Sequence, residues 1–312
     1  MRVAAIDCGT NSIRLLIADV DDAGALADVH REMRVVRLGQ GVDATGRLAD
    51  EALERTFAAT EDYAELIRAQ GAERVRFVAT SATRDAANRQ VFVDGIRNRL
   101  GVEPEVVSGD EEAALSFAGA VSVLPALGEP LVLVVDLGGG STEFVAGNRD
   151  GVRAGLSTDM GCVRFTERYL RSDPPTSAQI DAAVTDIEDN ITKVLATVPL
   201  EQIDRIVGVA GSVTTITAQA LGLDSYRPEL IHAADLPAEQ ITAACTELLE
   251  MTHAQRAELP FMHPGRVDVI GAGALIWRTI ISRLQTLTEG RVRSAMASEH
   301  DILDGIALGI SR

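Results

Sequence analysis

Lysine is nearly absent from this 312-residue chain: Lys193 is the single one among 29 basic residues. A Walker-type phosphate loop needs Gly-Lys-Ser/Thr, and none is available; Schiff-base chemistry loses its usual nucleophile at the same time. Aromatics are 4% of residues with one tryptophan, Trp277, too few for the stacking platform that single-stranded nucleic acid requires. The formal net charge of −17 excludes a general nucleic-acid binder, which carries a basic patch. No 18-residue apolar run exists, and the first apolar run contains Asp7 with no basic region ahead of it. The sequence therefore predicts neither a membrane span nor a signal peptide. Cys8, Cys162 and Cys245 are odd in number and far apart, and neither they nor the histidines show metal-ligand spacing. They read as reduced thiols of a cytoplasmic protein.

A phosphate-loop pattern is present twice. Val3 to Ile6 lead into Asp7-Cys8-Gly9-Thr10-Asn11-Ser12, followed by the apolar run Ile13 to Val20. Leu131 to Val135 lead into Asp136-Leu137-Gly138-Gly139-Gly140-Ser141-Thr142-Glu143, followed by Phe144-Val145. Each copy is an apolar strand ending in aspartate, a Gly/Ser/Thr turn and a second strand. Such turns offer amides and hydroxyls to an anion, and the aspartates suit a hydrated Mg²⁺. Because the mean field of an acidic chain slows a polyanion, local positive potential has to come from arginines and a bound cation.

Apolar, β-branched runs predict strands near 2–7, 13–20, 34–38, 75–79, 103–107, 131–136, 142–147, 152–157, 205–209 and 292–296. Helical periodicity covers 50–70, 84–99, 110–122, 161–170, 177–197, 212–221, 238–251, 267–285 and 299–309. This order predicts an α/β protein with a mixed sheet in each half. The length suits two domains, with a boundary near 123–130 where Pro125, Gly128 and Pro130 cluster. The expected division is 1–124 and 125–297, with 298–312 packing back onto the first half and both Asp-Gly loops lining a cleft.

Three further stretches carry chemistry. In Ser108-Gly109-Asp110-Glu111-Glu112, Ser108 and Glu111 have capping-box spacing. Glu112 points about 100° away from Glu111, which suits a general base acting on water, with an exposed helix-surface residue as the plain alternative. Thr80-Ser81-Ala82-Thr83-Arg84 ends a strand in hydroxyls and opens a helix, where anions are favoured; Arg84 there suits a phosphate, with a salt bridge as the plain alternative. Gly208-Val209-Ala210-Gly211-Ser212 is a third strand-to-helix turn of the same kind. Gly271-Ala272-Gly273-Ala274 reads as close helix packing, and Arg266 lies just before it.

Taken together and in this order, the motifs resemble those of the exopolyphosphatase/guanosine pentaphosphate phosphatase (Ppx/GppA) family, over residues 3 to about 309. The resemblance implies two ribonuclease-H-like domains of the sugar kinase/Hsp70/actin superfamily flanking an interdomain cleft. It also implies hydrolytic release of terminal phosphate from inorganic polyphosphate or guanosine pentaphosphate with Mg²⁺, or Mn²⁺ in its place, in a homodimer. Carried over by position, Glu112 is the water-activating glutamate. Asp136 and Glu143 are acidic residues at the metal and nucleophile, with Asp7 as a further metal ligand. Gly9, Thr10, Asn11, Ser12 and Arg14 match phosphate-binding positions, as do Gly138, Gly139, Gly140, Ser141 and Thr142; so do Arg84, Gly211, Ser212 and Arg266. Cys8 stands where an aliphatic residue is usual, and Thr10 replaces serine but keeps the hydroxyl. His300-Asp301 sits in the closing helix without a partner motif, so the chain is expected to be the short, two-domain form. The reading ranks exopolyphosphatase first and guanosine pentaphosphate hydrolysis second. An ATP-dependent kinase, which would use an aspartate base and an adenosine pocket, and a non-catalytic binder follow.

Overall fold

A computed structural model describes residues 1–21, 25–122, 130–148 and 151–310. The chain divides into two compact units, Met1–Gly119 with Asp301–Arg312, and Ala120–His300. Of the expected boundary segment 123–130, residues 123–129 lie outside the described residues.

The first unit holds strands β1 (Arg2–Cys8), β2 (Ser12–Val20), β3 (Leu26–Val35), β4 (Arg74–Ala79) and β5 (Glu105–Val106), in sheet order β3-β2-β1-β4-β5. β1, β2 and β3 form an antiparallel meander, and β4 joins β1 in parallel. From Val3 on, β1 is buried on both faces, which is why it reads as an unbroken apolar run. Ala4, Ile6, Ile13, Leu15 and Ile17 pack with Leu53, Tyr63 and Ile67 of helix Asp50–Gln70 and Phe92 of helix Arg89–Leu100. On the opposite face Val3, Ala5, Leu16 and Val78 pack with Ile302, Leu303 and Ile306 of helix Ile302–Ile310.

The second unit repeats the plan. Its strands are β6 (Val132–Leu137), β7 (Thr142–Asn148), β8 (Gly151–Thr158), β9 (Arg205–Val209), β10 (Asp235–Pro237) and β11 (Ser294–Ala297), in order β10-β11-β9-β6-β7-β8. β6, β7 and β8 again form the meander, and β9 joins β6 in parallel. Leu133, Val135, Leu137 and Phe144 meet helices Ser177–Leu195, Ala210–Leu221 and Ile270–Leu287 through Ile187, Ile216 and Trp277. The mixed α/β class with one sheet in each half is the one read from sequence.

Besides short elements that were not expected, such as β10 and helices Val42–Thr45, Pro228–Ile231 and His253–Ala257, three departures stand out. β3 covers 26–35 rather than 34–38: it is an edge strand whose charged residues hide any apolar alternation, a common way of protecting an edge. The predicted helix 84–99 is two helices, Ser81–Asp85 and Arg89–Leu100. Ala86 is extended between them, and the Asn88 side chain exchanges hydrogen bonds of 2.8 and 2.9 Å with the Leu48 backbone, fixing the break. The closing helix starts at Ile302, leaving His300 and Asp301 ahead of it.

Candidate active site

The two hairpin turns close identically. Gly9 N–H donates to Ser12 O at 3.0 Å, and Gly138 N–H donates to Ser141 O at 3.1 Å. What differs is the residue facing each aspartate across the ladder: Asp7 opposes Arg14, whereas Asp136 opposes Glu143.

In the first unit, Arg14 donates through Nε (2.9 Å) and Nη2 (2.7 Å) to Asp7 Oδ2, and through Nη1 to Asp301. Asp7 is 4% exposed; burial holds its carboxyl above the ordinary aspartate range, although Arg14 pulls the other way. Burial opposes the charge on Arg14, but Asp301 and Asp7 outweigh it and hold the guanidinium well above its ordinary value. Thr10 Oγ1 meets Ser81 Oγ at 3.0 Å, joining the Gly9–Ser12 loop to the turn before Arg84. Glu111 and Glu112 separate as their helical spacing predicts. Glu111 N–H donates to Ser108 Oγ at 3.2 Å, and the exposed Glu111 side chain pairs with Arg76. Glu112 is buried at 7% exposure, and Arg84 Nη1 donates to its Oε2 at 2.9 Å and to Val107 O at 3.0 Å. Arg84 thus grips the candidate base rather than Asp85.

In the second unit Asp136 and Glu143 are 7% and 1% exposed. Ser157 Oγ donates to Glu143 Oε1 at 2.7 Å from the next strand. The glycine loop is fixed from behind by helix Cys162–Arg168. Cys162 N–H donates to Gly138 O (3.0 Å), Val163 N–H to Gly139 O (2.9 Å) and Arg164 Nε to Gly140 O (2.8 Å). In a trans peptide C=O and N–H point in opposite directions, so the amides of Gly139, Gly140 and Ser141 turn away from that helix as a row of three. Such a row is an anion cradle. Gly161 makes the contact possible, since a Cβ there would collide with the Gly139 and Gly140 backbone. Thr142 Oγ1 donates to Met160 O, so this hydroxyl proton is spent inside the fold. Arg266 Nη1 donates to Gly211 O (2.9 Å) and Thr215 Oγ1 (3.0 Å), and a Cβ on Gly211 would overlap the guanidinium. Ser212 is buried against Gly273, the small residue that permits its approach. Ala210, just before, holds a left-handed φ of 71°, local strain of the kind that gathers at functional turns.

The structure therefore brings Asp7, Gly9, Thr10, Asn11, Ser12, Arg14, Arg84 and Glu112 onto the first unit. It brings Asp136, Gly138 to Glu143, Gly211, Ser212 and Arg266 onto the second. Sequence reasoning quoted Ser81 and Asp301 without giving either a supporting role and passed over Arg164; all three hold those residues in place. Among the described residues no three His, Cys, Asp or Glu side chains cluster as a metal site, and no helix is long and apolar enough to cross a membrane.

The family model of the Ppx/GppA phosphatases matches residues 16–309. The chain belongs to the Ppx/GppA phosphatase family. This member is 51% identical to exopolyphosphatase 2 of Mycobacterium tuberculosis, across 99% of this chain and 98% of that protein. It is 31% identical to a guanosine-5'-triphosphate,3'-diphosphate pyrophosphatase of Vibrio atlanticus, across 95% of this chain but 58% of the relative. Among solved structures, an exopolyphosphatase-like protein matches with a TM-score of 0.95 at 48% identity, covering 99% of this chain and 97% of that one. The Ppx/GppA protein of Aquifex aeolicus matches with a TM-score of 0.79 at 31% identity, covering 100% and 97%.

Proposed function

We propose that this chain is an exopolyphosphatase, hydrolysing the terminal phosphoanhydride bond of inorganic polyphosphate and releasing orthophosphate. The observation carrying the reading is the second hairpin, where three aligned amides end beside a pair of buried, facing carboxylates. Two buried carboxylates facing each other across a ladder call for a cation, and the amides call for an anion. A phosphate chain with Mg²⁺ supplies both.

Asp136 and Glu143 would hold Mg²⁺, or Mn²⁺, which when bound offsets charge on the phosphate oxygens. Two carboxylates suffice for an ion that keeps waters and takes further oxygens from phosphate. Glu112 accepts a proton from the attacking water, aimed by its bond to Arg84. On the second unit the amides of Gly139, Gly140 and Ser141 hold phosphate oxygens and Arg266 adds a guanidinium donor; the first unit offers the Gly9–Ser12 loop, Arg14 and Arg84 as donors of the same kinds. Hydrolysis needs no acceptor besides water, so this chemistry has no role for an adenosine pocket. Three buried free thiols support a reducing, cytoplasmic setting, and the homodimer is testable by light scattering.

The deciding assay measures phosphate release with Mg²⁺ from short and long polyphosphate, guanosine pentaphosphate and ATP in parallel. The expected result is polyphosphate above both nucleotides in kcat/KM. Faster release from guanosine pentaphosphate would overturn the assignment in favour of the nucleotide.

A further inference from the structure

Asp301 lies 287 residues from Arg14 in sequence, yet it takes one arm of the guanidinium whose other two N–H groups bind Asp7. Asp301 is itself tightly held. Its Oδ1 accepts from Leu303 N–H at 3.0 Å, capping the closing helix, and its own N–H donates to Asp304 Oδ2 at 3.0 Å. Asp304, fully buried, is fixed by Arg31 through Nη1 and Nη2 at 3.3 and 2.5 Å. The backbone is locked as well. A Cβ on Gly119 would collide with the Asp301 carbonyl, and one on Gly305 with that of Leu115, in the helix that carries Glu112. Asp301 thus touches the helix of the candidate base with its main chain and the phosphate hairpin with its side chain.

We propose that Asp301 is a positioning residue: it sets the direction of Arg14 relative to the Glu112 helix, and so presents the guanidinium to the phosphate chain. The inference rests on the phosphate-binding role proposed above for Arg14. An arginine held by Asp7 alone keeps its charge but can turn about that one carboxylate. With the second anchor its fork has a single orientation, which bidentate phosphate recognition needs.

The test compares Asp301→Asn and Asp301→Ser, both good N-caps, in the parent and in an Arg14→Gln background. Folding is monitored by circular dichroism, hydrolysis by polyphosphate kinetics, and binding by titration with inorganic tripolyphosphate. The expected result is folded variants with kcat/KM lowered about 10- to 100-fold and weaker tripolyphosphate binding. Once Arg14 is gone, the same changes at 301 should alter either quantity less than about threefold, since the two residues act as one unit. Parental kcat/KM in both variants, equal losses with and without Arg14, or collapse of the fold in both would overturn the proposal. If the parent bound tripolyphosphate but hydrolysed nothing, the exopolyphosphatase reading would fail while the binding cycle still judged Asp301. A parent that bound none would overturn both.

Discussion

Asp136 faces Glu143 across the β6–β7 ladder at the place where, in the first hairpin, Asp7 faces Arg14. The two hairpins share a turn, a closing hydrogen bond and a seven-residue spacing from the aspartate to its facing residue, but their charge is opposite in effect. Asp7 faces a guanidinium that it binds; Asp136 faces a second buried carboxyl group.

This asymmetry predicts where metal sensitivity lies. Asp136→Asn and Glu143→Gln should raise the Mg²⁺ concentration for half-maximal phosphate release by about tenfold or more, the scale of losing a ligand or its support. Asp7→Asn should lower activity by loosening Arg14 and leave the Mg²⁺ midpoint unchanged. Chelation should abolish release in the parent. A shift for Asp7→Asn matching that for Asp136→Asn would assign Asp7 to the metal instead.

Glu112 and Arg84 form the second testable pair. Replacing a positioned general base costs on the order of 10²- to 10⁴-fold, so Glu112→Gln, which keeps shape and hydrogen-bonding capacity, should lose that much kcat while remaining folded. Arg84→Lys keeps the charge but not the geometry that reaches Glu112 and Val107 O together. It should therefore depress kcat about tenfold. A full-rate Glu112→Gln enzyme would remove water activation from this residue.

Much of this was legible because the repeated hairpins are local: strand, turn and strand lie within about 20 residues, and apolar runs reveal a strand buried on both faces. Glu112 was separable from Glu111 by helical phase alone. What stayed hidden depends on distance or on charge. No periodicity links Arg14 to Asp301, Arg84 to Glu112 or the glycine loop to Arg164, since each pairing is created by tertiary packing. β3 escaped because an edge strand with one neighbour tolerates the charges that erase its pattern.

The helix crossing at Gly119 and Gly305 gives a stability prediction. In an exposed helix Gly→Ala gains about 1 kcal/mol, but here each Cβ would enter a backbone carbonyl. Overpacking costs about 1–3 kcal/mol, so Gly119→Ala and Gly305→Ala should each lower stability by about 1–2 kcal/mol in urea unfolding. Gly309→Ala, in the same helix as Gly305, meets only the end of the Arg76 side chain at 3.0 Å. It should be neutral or stabilising, and a loss there equal to that at Gly305 would point to helix propensity rather than the crossing.

His263 ties pH to the Arg266 region. Its ring is held below the ordinary histidine range, first by burial and then by the charge of Arg266. The neutral ring is in use, since Nδ1 accepts the Gly265 N–H at 3.1 Å. With the folded-state pKa depressed, the unfolded chain binds a proton at higher pH than the native protein does. The contribution to stability is therefore complete above about pH 6.5 and is lost as pH falls below it. Urea midpoints measured from pH 7.5 to 5 should decline in the parent and decline less in His263→Asn, whose amide oxygen can replace Nδ1 as the acceptor. Protonation would also set a second positive charge beside Arg266 and push it off Gly211, so KM for polyphosphate should rise over the same range in the parent but not in the variant. Parallel declines in the two proteins would show that His263 is not the group sensing acid.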